Sequence, residues 1–547
     1  METIEVHLAS ASSRRTPSWG RRLWFLALGG AFAFQAILLI TAGVRNRQMV
    51  NPDAVSYIRA SSYYLHGRLD LAVNGYWGPL LSWIIVPLLP LFRDPVGAAR
   101  VAMGLSAVLF LAGCVSVFWA FRLSRAAVLA GTWLAAIASV EWSVAYITPD
   151  LLLAGLLALA CSLVLAQSWL TRARTQVGAG LLLGAAYLAK AIALPFALLF
   201  LAAMSAIQLI SRRSAARMVF SAGVRTMAGF AVIAAPWMIV LSLHYGRPVF
   251  STSGLPAHAI VGPNDVERYH PTFVAWRQPP EGRVTTWEEP SCMPYRSWSP
   301  LQNFTYARHQ AYLILHNFYW VLVMLARFDS VGIGLTSLMA ALLLHKRWRP
   351  NMRGHPWRWA AVPVACLVAW YLPVYFQGEA RYCWPTYVFI LTAALGMAEW
   401  LAASVGGGKR LLGAAVLTVV ILAFGFPAGK ATALALRGYR DAEYDCARDV
   451  CKRLDAAGLR GPIASVGREE RVGFYLSFLR NEPFYGSHAD PSTQDFKSVR
   501  AGLYVVDRHS VLRQRLEAQV ALHDLDGRLF SSPAEAAACP VAVYGPR

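Results

Sequence analysis

Long apolar runs are the feature that most constrains how this chain can fold. Residues 23–44, 96–121, 126–147 and 384–403 are almost free of charge. Each run reaches the roughly 18 residues that a helix needs to cross a ~30 Å hydrocarbon core. In lipid, backbone polar groups must be satisfied within each segment, and these runs are too long and too unpatterned for barrel strands. The sequence therefore predicts a polytopic α-helical membrane protein.

The basic residues lie between the apolar runs. The chain of 547 residues has a formal charge of +21, and its Lys and Arg residues form short clusters such as those at residues 122–125, 172–174 and 345–358. Such a charge is typical either of nucleic-acid binding or of membrane topology, because cytoplasmic loops carry an excess of Lys and Arg. The clustering favours topology. We expect contact with membrane lipids and no nucleic-acid partner.

These clusters orient the predicted crossings. Residues 1–22 form a polar, arginine-ended tail before the first run, which is typical of an uncleaved signal anchor with a cytoplasmic N-terminus. Loop 45–95 and the large loop 244–309 then lie outside, the latter long enough to cover a site as a lid. Residues 79–92 are too short to span and predict a helix in the outer interface. About 11 crossings follow in a transmembrane domain of residues 23–429, at residues 23–44, 96–121, 126–147, 151–170, two within 178–210, 218–243, 328–344, 359–376, 384–403 and 411–429.

Residues 178–210 allow two interpretations. This stretch of 33 residues has one charged side chain, Lys190, near its middle. It is either one long helix with a lysine at membrane depth or a hairpin whose tip carries Lys190 and Pro195. The hairpin returns the chain to the cytoplasmic cluster at residues 211–213, as the positive-inside rule requires. We therefore predict the hairpin.

The composition changes to that of a soluble domain at about residue 430. Residues 462–466, 502–506 and 540–543 predict short strands, and residues 442–457 and 469–479 predict helices. We expect residues 430–547 to form a small α/β domain outside the membrane. If so, a disulfide from Cys539 to either Cys446 or Cys451 is allowed.

Two aspartates open predicted helices at the outer surface. Asp53 follows Asn51-Pro52, and Asp150 follows Thr148-Pro149. Either aspartate can cap its helix by accepting backbone N–H groups, or serve as an acidic residue that binds and deprotonates an acceptor. We predict that Asp53 is the catalytic carboxylate and that Asp150 is a second catalytic position.

Cationic and aromatic side chains are candidates for substrate binding. A lysine at membrane depth is a functional hypothesis by default, although it can also extend to the interface. The guanidinium of Arg381 can bind a phosphate bidentately, with Glu379 either orienting it or only forming a loop ion pair. Arg381 and Arg59 are predicted phosphate contacts, and Lys190 is a predicted functional cation. Predicted substrate contacts are Tyr57, Trp77, Glu379 and Tyr382, and further sugar-stacking candidates are Trp276 and Trp298.

Metal binding is not indicated. His258, His270 and His309 lie in the large loop, but neither their spacing nor that of the cysteines resembles a metal site. Solvated loop histidines are the preferred interpretation. A divalent cation stays possible, and we assign no cofactor.

Five short motifs follow one another along the chain. They are Asp53 with Tyr57, Gly78-Pro79-Leu80, Thr148-Pro149-Asp150, GAAYLAK at residues 184–190, and Glu379-Ala380-Arg381-Tyr382 with Pro385. Together they resemble the GT-C membrane glycosyltransferases, in particular the bacterial protein-mannosyltransferase and aminoarabinose-transferase type. The resemblance covers roughly residues 20–430 in chain order. Two positions differ from the family pattern, which often has an acidic pair where this chain has Asp53-Ala54, and a lysine in the aminoarabinose transferases where this chain has Gly78.

The resemblance implies a GT-C fold in a bacterial inner membrane with a periplasmic site and a periplasmic C-terminal domain. It implies transfer of a sugar from a polyprenyl-phosphate donor to a lipid, glycan or protein acceptor, with Asp53 acting on the acceptor and Lys190 and Arg381 holding the donor phosphate. The competing class is a polytopic transporter or flippase of lipid-linked sugars. A transporter predicts internal repeats and charges near the midplane; the sequence shows no repeat, and its candidate charges gather at one face.

Overall fold

The computed structural model contains a helical bundle and a small C-terminal α/β domain. It describes residues 18–211, 215–263, 270–343, 356–374, 379–404, 410–467, 471–508, 510, 522–530, 532 and 539–546.

The helices of the bundle follow one another with short connections. In chain order they are α1 (Ser18–Arg45), α2 (Pro52–Leu65), α3 (Leu69–Ala72), α4 (Pro79–Ile85), α5 (Pro95–Ala120), α6 (Arg125–Ala145), α7 (Asp150–Leu165), α8 (Ala173–Ala189), α9 (Ala193–Ile210), α10 (Ala216–Tyr245), α11 (Gly254–Ala259), α12 (Phe304–Phe328), α13 (Ser330–Leu343), α14 (Ala361–Tyr371), α15 (Trp384–Ser404) and α16 (Arg410–Arg437).

The prediction of a polytopic helical membrane protein is confirmed. Within the described residues, seven helices are long and apolar enough to cross a membrane, and an eighth span results if α12 and α13, which meet at 112°, are counted as one. Each predicted crossing overlaps a described helix, but α7, α13 and α14 have only 16, 14 and 11 residues. The total of about 11 crossings stays a prediction.

The hairpin predicted for residues 178–210 is present. Helix α8 ends at Ala189, Lys190 is extended, and α9 begins at Ala193. Helix α8 packs closely on α10, where a Cβ on Gly180 would lie 2.0 Å from the carbonyl oxygen of Thr226. Small residues permit such close contact between helices in lipid. This packing fixes where α8 ends and therefore where Lys190 lies.

The C-terminal domain alternates helices and strands. Its described elements are α17 (Ala442–Ala456), β1 (Ile463–Val466), α18 (Val472–Arg480), β2 (Phe484–His488), α19 (Thr493–Val499), β3 (Leu503–Asp507), β4 (Leu522–Asp524), α20 (Asp526–Leu529) and β5 (Val541–Pro546). These strands form a mixed sheet in the order β2-β1-β3-β5-β4. Strand β1 pairs in parallel with β2 and β3, and β5 is antiparallel to β3 and β4.

The predicted strands and helices of this domain are confirmed, whereas β2 and β4 were not predicted. The Cys446–Cys539 disulfide is one of the two pairings that the sequence allowed.

The large loop connects this domain to the bundle. The backbone N–H of Phe484 in β2 donates to the carbonyl of Val284 at 2.7 Å, and the indole of Trp276 donates to Ser465 in β1 at 2.7 Å. On its other side the loop binds the first loop, where Asn74 donates to the carbonyl of Glu288 at 2.6 Å. The loop therefore lies over the N-terminal end of α2.

Candidate active site

Asp53 lies in the first turn of α2, and its carboxylate does not cap that helix. Asn51 is the N-cap residue, but its side-chain oxygen accepts instead from the backbone N–H of Ile147 at 2.9 Å. The Oδ2 of Asp53 accepts from the Nη1 of Arg381 at 2.6 Å. The capping interpretation of Asp53 is therefore wrong. The carboxylate is held by a cation 328 residues away in the chain.

A buried arginine that the sequence did not single out fixes the segment before α2. The guanidinium of Arg100, on α5, donates to the carbonyls of Ser143 and Val144 at 3.2 and 2.8 Å and also contacts the carbonyl of Met49. These carbonyls belong to the end of α6 and to the chain just before α2. Arg100 thus joins two segments that set the position of Asp53.

Asp150 and Lys190 form the second ion pair of the site. Asp150 is the first residue of α7 and is buried, and its Oδ1 accepts from the Nζ of Lys190 at 2.5 Å. The ammonium also lies 4.5 Å from the centre of the Tyr382 ring. A cation over an aromatic face is attracted by the ring quadrupole. Lys190 is therefore held by one charge and one ring.

Gly78 explains how the first loop reaches Lys190. A Cβ at this position would lie 2.3 Å from the carbonyl oxygen of Ala189 and 2.6 Å from that of Leu188. Any side chain would therefore push α4 away from the end of α8. The lysine that the aminoarabinose transferases carry here would not fit this packing.

Arg381 lies at the centre of the charged groups. It belongs to a 3₁₀ turn, Ala380–Cys383, and its guanidinium pairs with Glu379 through Nε as well as with Asp53 through Nη1. Its guanidinium carbon lies 5.2 Å from the ring centre of Tyr146 and 5.3 Å from that of Tyr382. Arg381 is thus fixed on several sides.

The two ion pairs expose opposite partners. The side chain of Arg381 is 7% exposed and that of Asp53 15%, whereas Asp150 is 2% exposed and Lys190 30%. The more exposed partner is therefore the carboxylate in one pair and the ammonium group in the other.

Aromatic side chains line the wall beside Asp53. The ring of Tyr57 lies 5.3 Å from Trp77, which lies 5.3 Å from Trp287. His270 is buried 4.7 Å from Trp287, and this burial lowers its pKa to about 4 despite the nearby Asp53. The interpretation of His270 as a solvated loop histidine is wrong, because the large loop folds it inward. Burial also raises the pKa of Tyr57 well above its usual value, so its hydroxyl stays protonated.

These groups surround a cavity of about 520 Å³. A neighbouring cavity of about 340 Å³ has four lining residues in common with the first, namely Asp53, His270, Trp287 and Arg381. Glu379 and Arg471 also line this smaller cavity. The predicted site residues that line the larger cavity are Asp53, Tyr57, Trp77, Asp150, Lys190, Arg381 and Tyr382.

Three predicted residues lie elsewhere. Arg59 does not line either cavity; it donates to Asn481 of the C-terminal domain at 2.6 Å and lies 3.7 Å from Glu288. Trp276 packs against the C-terminal sheet, and Trp298 stacks on His258 with ring centres 4.3 Å apart. All three join segments of the folded chain.

Metal ligands are not gathered in the part of the chain that the structure describes, where no group of three His, Cys, Asp or Glu side chains forms a possible metal site. The two carboxylates of the larger cavity already bind Lys190 and Arg381. We therefore derive no catalytic step through a metal.

Comparison with solved structures identifies the fold. ArnT from Cupriavidus metallidurans, bound to undecaprenyl phosphate, superposes with a TM-score of 0.54 at 17% identity over 94% of this chain and 98% of its own. An oligosaccharyltransferase from Archaeoglobus fulgidus gives a TM-score of 0.53 at 12% identity over 90% and 70%. The chain has the GT-C fold.

The GT-C fold confirms what the sequence motifs implied about architecture. It extends beyond the helical bundle, since the match with ArnT includes nearly the whole chain. At this identity it is a likeness of fold alone. No family model and no curated protein matches the sequence.

Proposed function

We propose that this protein is a membrane glycosyltransferase that moves a sugar from a polyprenyl-phosphate donor to an acceptor hydroxyl or amine. The observation that carries the proposal is the larger cavity, whose lining combines a carboxylate, Asp53, with a partly exposed ammonium group, Lys190. Transfer from a lipid phosphate needs a base for the acceptor and a cation for the leaving group. Similar structures were solved with undecaprenyl phosphate and with a dolichol-phosphate bound, which supports a donor of this class.

Asp53 is the proposed base. Its Oδ2 accepts from Arg381, and Oδ1 has no hydrogen-bond partner among the described residues. Oδ1 can therefore accept the proton of an acceptor while the Arg381 contact orients the carboxylate. Arg381 acts as a positioning residue because its side chain is almost fully buried.

Lys190 is the proposed phosphate contact. An ammonium group has three N–H donors, and one of them is used by Asp150. The others can bind the phosphate, whose negative charge grows as the bond to the sugar breaks. Asp150 then serves to hold Lys190, which departs from its predicted role as a second catalytic position.

The donor and the acceptor approach Asp53 from different cavities. Lys190 and Asp150 line the larger cavity, and the apolar side chains of Ile192, Leu255 and Trp370 at that cavity provide contacts for a lipid chain. The smaller cavity reaches Asp53 from the side of Glu379 and Arg471. An acceptor in this cavity would attack the anomeric carbon opposite the leaving phosphate. The new bond to the acceptor then forms as the bond to phosphate breaks, with inversion.

The test is transfer by the purified protein in nanodiscs. Wild-type protein is given radiolabelled polyprenyl-phosphate sugars together with extracts of envelope lipid, glycan and protein, and the label in each product is measured. We expect one donor to be consumed by wild type and not by Asp53→Asn. NMR analysis of the product should show an inverted anomeric centre.

A matched experiment separates transfer from transport. In sealed vesicles, movement of the labelled lipid across the membrane at equal rates in wild type and Asp53→Asn, without consumption of any donor, would contradict the proposal and favour a lipid-linked sugar flippase. Retention at the anomeric centre would contradict the two-cavity geometry.

A further inference from the structure

Another cavity lies at the far end of helices that carry the candidate active site. Helix α7 begins at Asp150 and has 16 residues, and α9 begins three residues after Lys190 and has 18. At 1.5 Å per residue their other ends are roughly 24–27 Å away. There the ends of α5, α7 and α9 and the 3₁₀ turn Pro356–Ala360 enclose about 380 Å³. This volume is within the ~300–1,000 Å³ range of small-molecule sites.

The lining of this cavity is cationic and aromatic. Arg122 and Arg358 supply two guanidinium groups, and Trp119 and Trp359 supply two indoles. The guanidinium of Arg358 lies 4.6 Å from the ring centre of Trp359. Among the described lining residues none is acidic, and the polar ones also include Gln167, Gln208 and Ser211. Planar guanidinium groups match the geometry of phosphate oxygens.

Arg122 adopts a backbone conformation that normally selects glycine. It ends α5 with φ at +57°, and the following N–H of Leu123 donates back to the carbonyl of Phe118 at 3.2 Å. Glycine takes this left-handed conformation without steric cost, whereas an arginine is strained there.

An exposed aromatic side chain lies at the edge of the cavity. The lining residue Trp119 is 46% exposed, and the end of α9 beside the cavity carries the exposed apolar side chain of Ile210, at 82%. In a bundle that spans a membrane such side chains face lipid, and indoles are enriched at the level of the head groups. A ligand with both an anionic head and apolar chains fits this edge better than a free ion does.

We propose that this cavity binds the phosphate of an anionic phospholipid through Arg122 and Arg358, with the acyl chains beside the exposed ring of Trp119. Basic pockets between membrane helices are a known form of lipid head-group site. The site is independent of the transfer reaction, since it lies at the opposite end of the bundle.

Native mass spectrometry of the full chain tests the proposal, with phosphatidylglycerol, phosphatidylethanolamine and inorganic phosphate as probes. We expect phosphatidylglycerol to bind the wild type in preference to phosphatidylethanolamine. Arg122→Gln and Arg358→Gln should each weaken phosphatidylglycerol binding about tenfold, as expected for a lost charge-assisted contact. Arg122→Lys should retain part of the affinity.

Arg174→Gln is the matched control. Arg174 is exposed in the first turn of α8 and does not line the cavity, so its loss should leave lipid binding unchanged. If Arg358→Gln does not fold, Arg122→Gln carries the test because Arg122 is exposed. The proposal is overturned by unchanged phosphatidylglycerol binding in Arg122→Gln, by equal binding of both lipids, or by displacement with inorganic phosphate, which would indicate a soluble anion site.

Discussion

The Asp53–Arg381 and Asp150–Lys190 pairs have the same chemistry but opposite exposure. All four side chains line the larger cavity. In the first pair the cation is the more buried partner, and in the second it is the carboxylate. A buried charge needs its partner because desolvation is costly, so the buried member of each pair holds the exposed member in place. From this difference we infer that Asp53 acts as the base for the acceptor and that Lys190 binds the donor phosphate.

Replacing the exposed carboxylate should have the largest effect. Asp53→Asn keeps the size of the side chain but cannot accept a proton, and general-base catalysis contributes typically ~10²–10⁴-fold. We expect a loss of that size in the transfer rate, with donor affinity retained. Rates from the nanodisc assay, with donor binding measured on the same sample, check this. Transfer at more than a tenth of the wild-type rate would mean that Asp53 is not the base.

Replacing the exposed cation should act on donor binding. Lys190→Gln removes the charge, and we expect the KM for the donor to rise about tenfold or more, with a smaller change in kcat. The stability cost should stay below the ~3–5 kcal/mol of a fully buried pair because Lys190 is 30% exposed. Lys190→Arg is the control that keeps the charge. An unchanged KM in Lys190→Gln would remove Lys190 from the donor site.

The burial of His270 should make the stability of the protein depend on pH. The pKa of this histidine is lowered to about 4 by burial, below its ordinary value, so the unfolded chain takes up the proton first as the pH falls. Stability should therefore be complete above about pH 6.5 and should decrease towards pH 4, by about 1 kcal/mol between about pH 7.5 and pH 5.5. Thermal unfolding of wild type and His270→Gln checks this. The same pH slope in both proteins would contradict the prediction.

Asp150→Asn should have the smallest effect of the four. The amide still accepts a hydrogen bond from Lys190 but no longer neutralises it, so we expect the KM for the donor to change only severalfold, about 2- to 5-fold. Its comparison with Asp53→Asn is decisive for the two roles. If Asp150→Asn lost as much kcat as Asp53→Asn, the buried carboxylate would be catalytic as well.

The architecture was largely predictable from the sequence. Apolar runs indicate the crossings because a helix in the hydrocarbon core must be apolar. The positive cluster after residue 210 correctly predicted the hairpin at Lys190. Strand β2 was missed because Pro483 precedes it and Gly486 lies within it, and both residues are unfavourable in strands. Gly486 is needed there because a Cβ would lie 2.4 Å from the carbonyl of Ala275. That contact comes from the large loop and leaves no local signal.

The site was predictable residue by residue but not in its pairing. Tyr57 lies four residues after Asp53 and shares its helix face, whereas Arg59 lies six residues after it, about 120° away around the helix at ~100° per residue. Helix geometry could therefore have excluded Arg59. The contact of Asp53 with Arg381 and the burial of His270 depend on packing between distant segments, which no local pattern records.

The most direct test of the two roles is an experimental structure with undecaprenyl phosphate bound. The predicted result is a phosphate within hydrogen-bond distance of the Nζ of Lys190, with the Asp53–Arg381 pair intact. A phosphate bound to Arg381 with Asp53 displaced, or one distant from Lys190, would contradict the assignment of the exposed partners to the substrates.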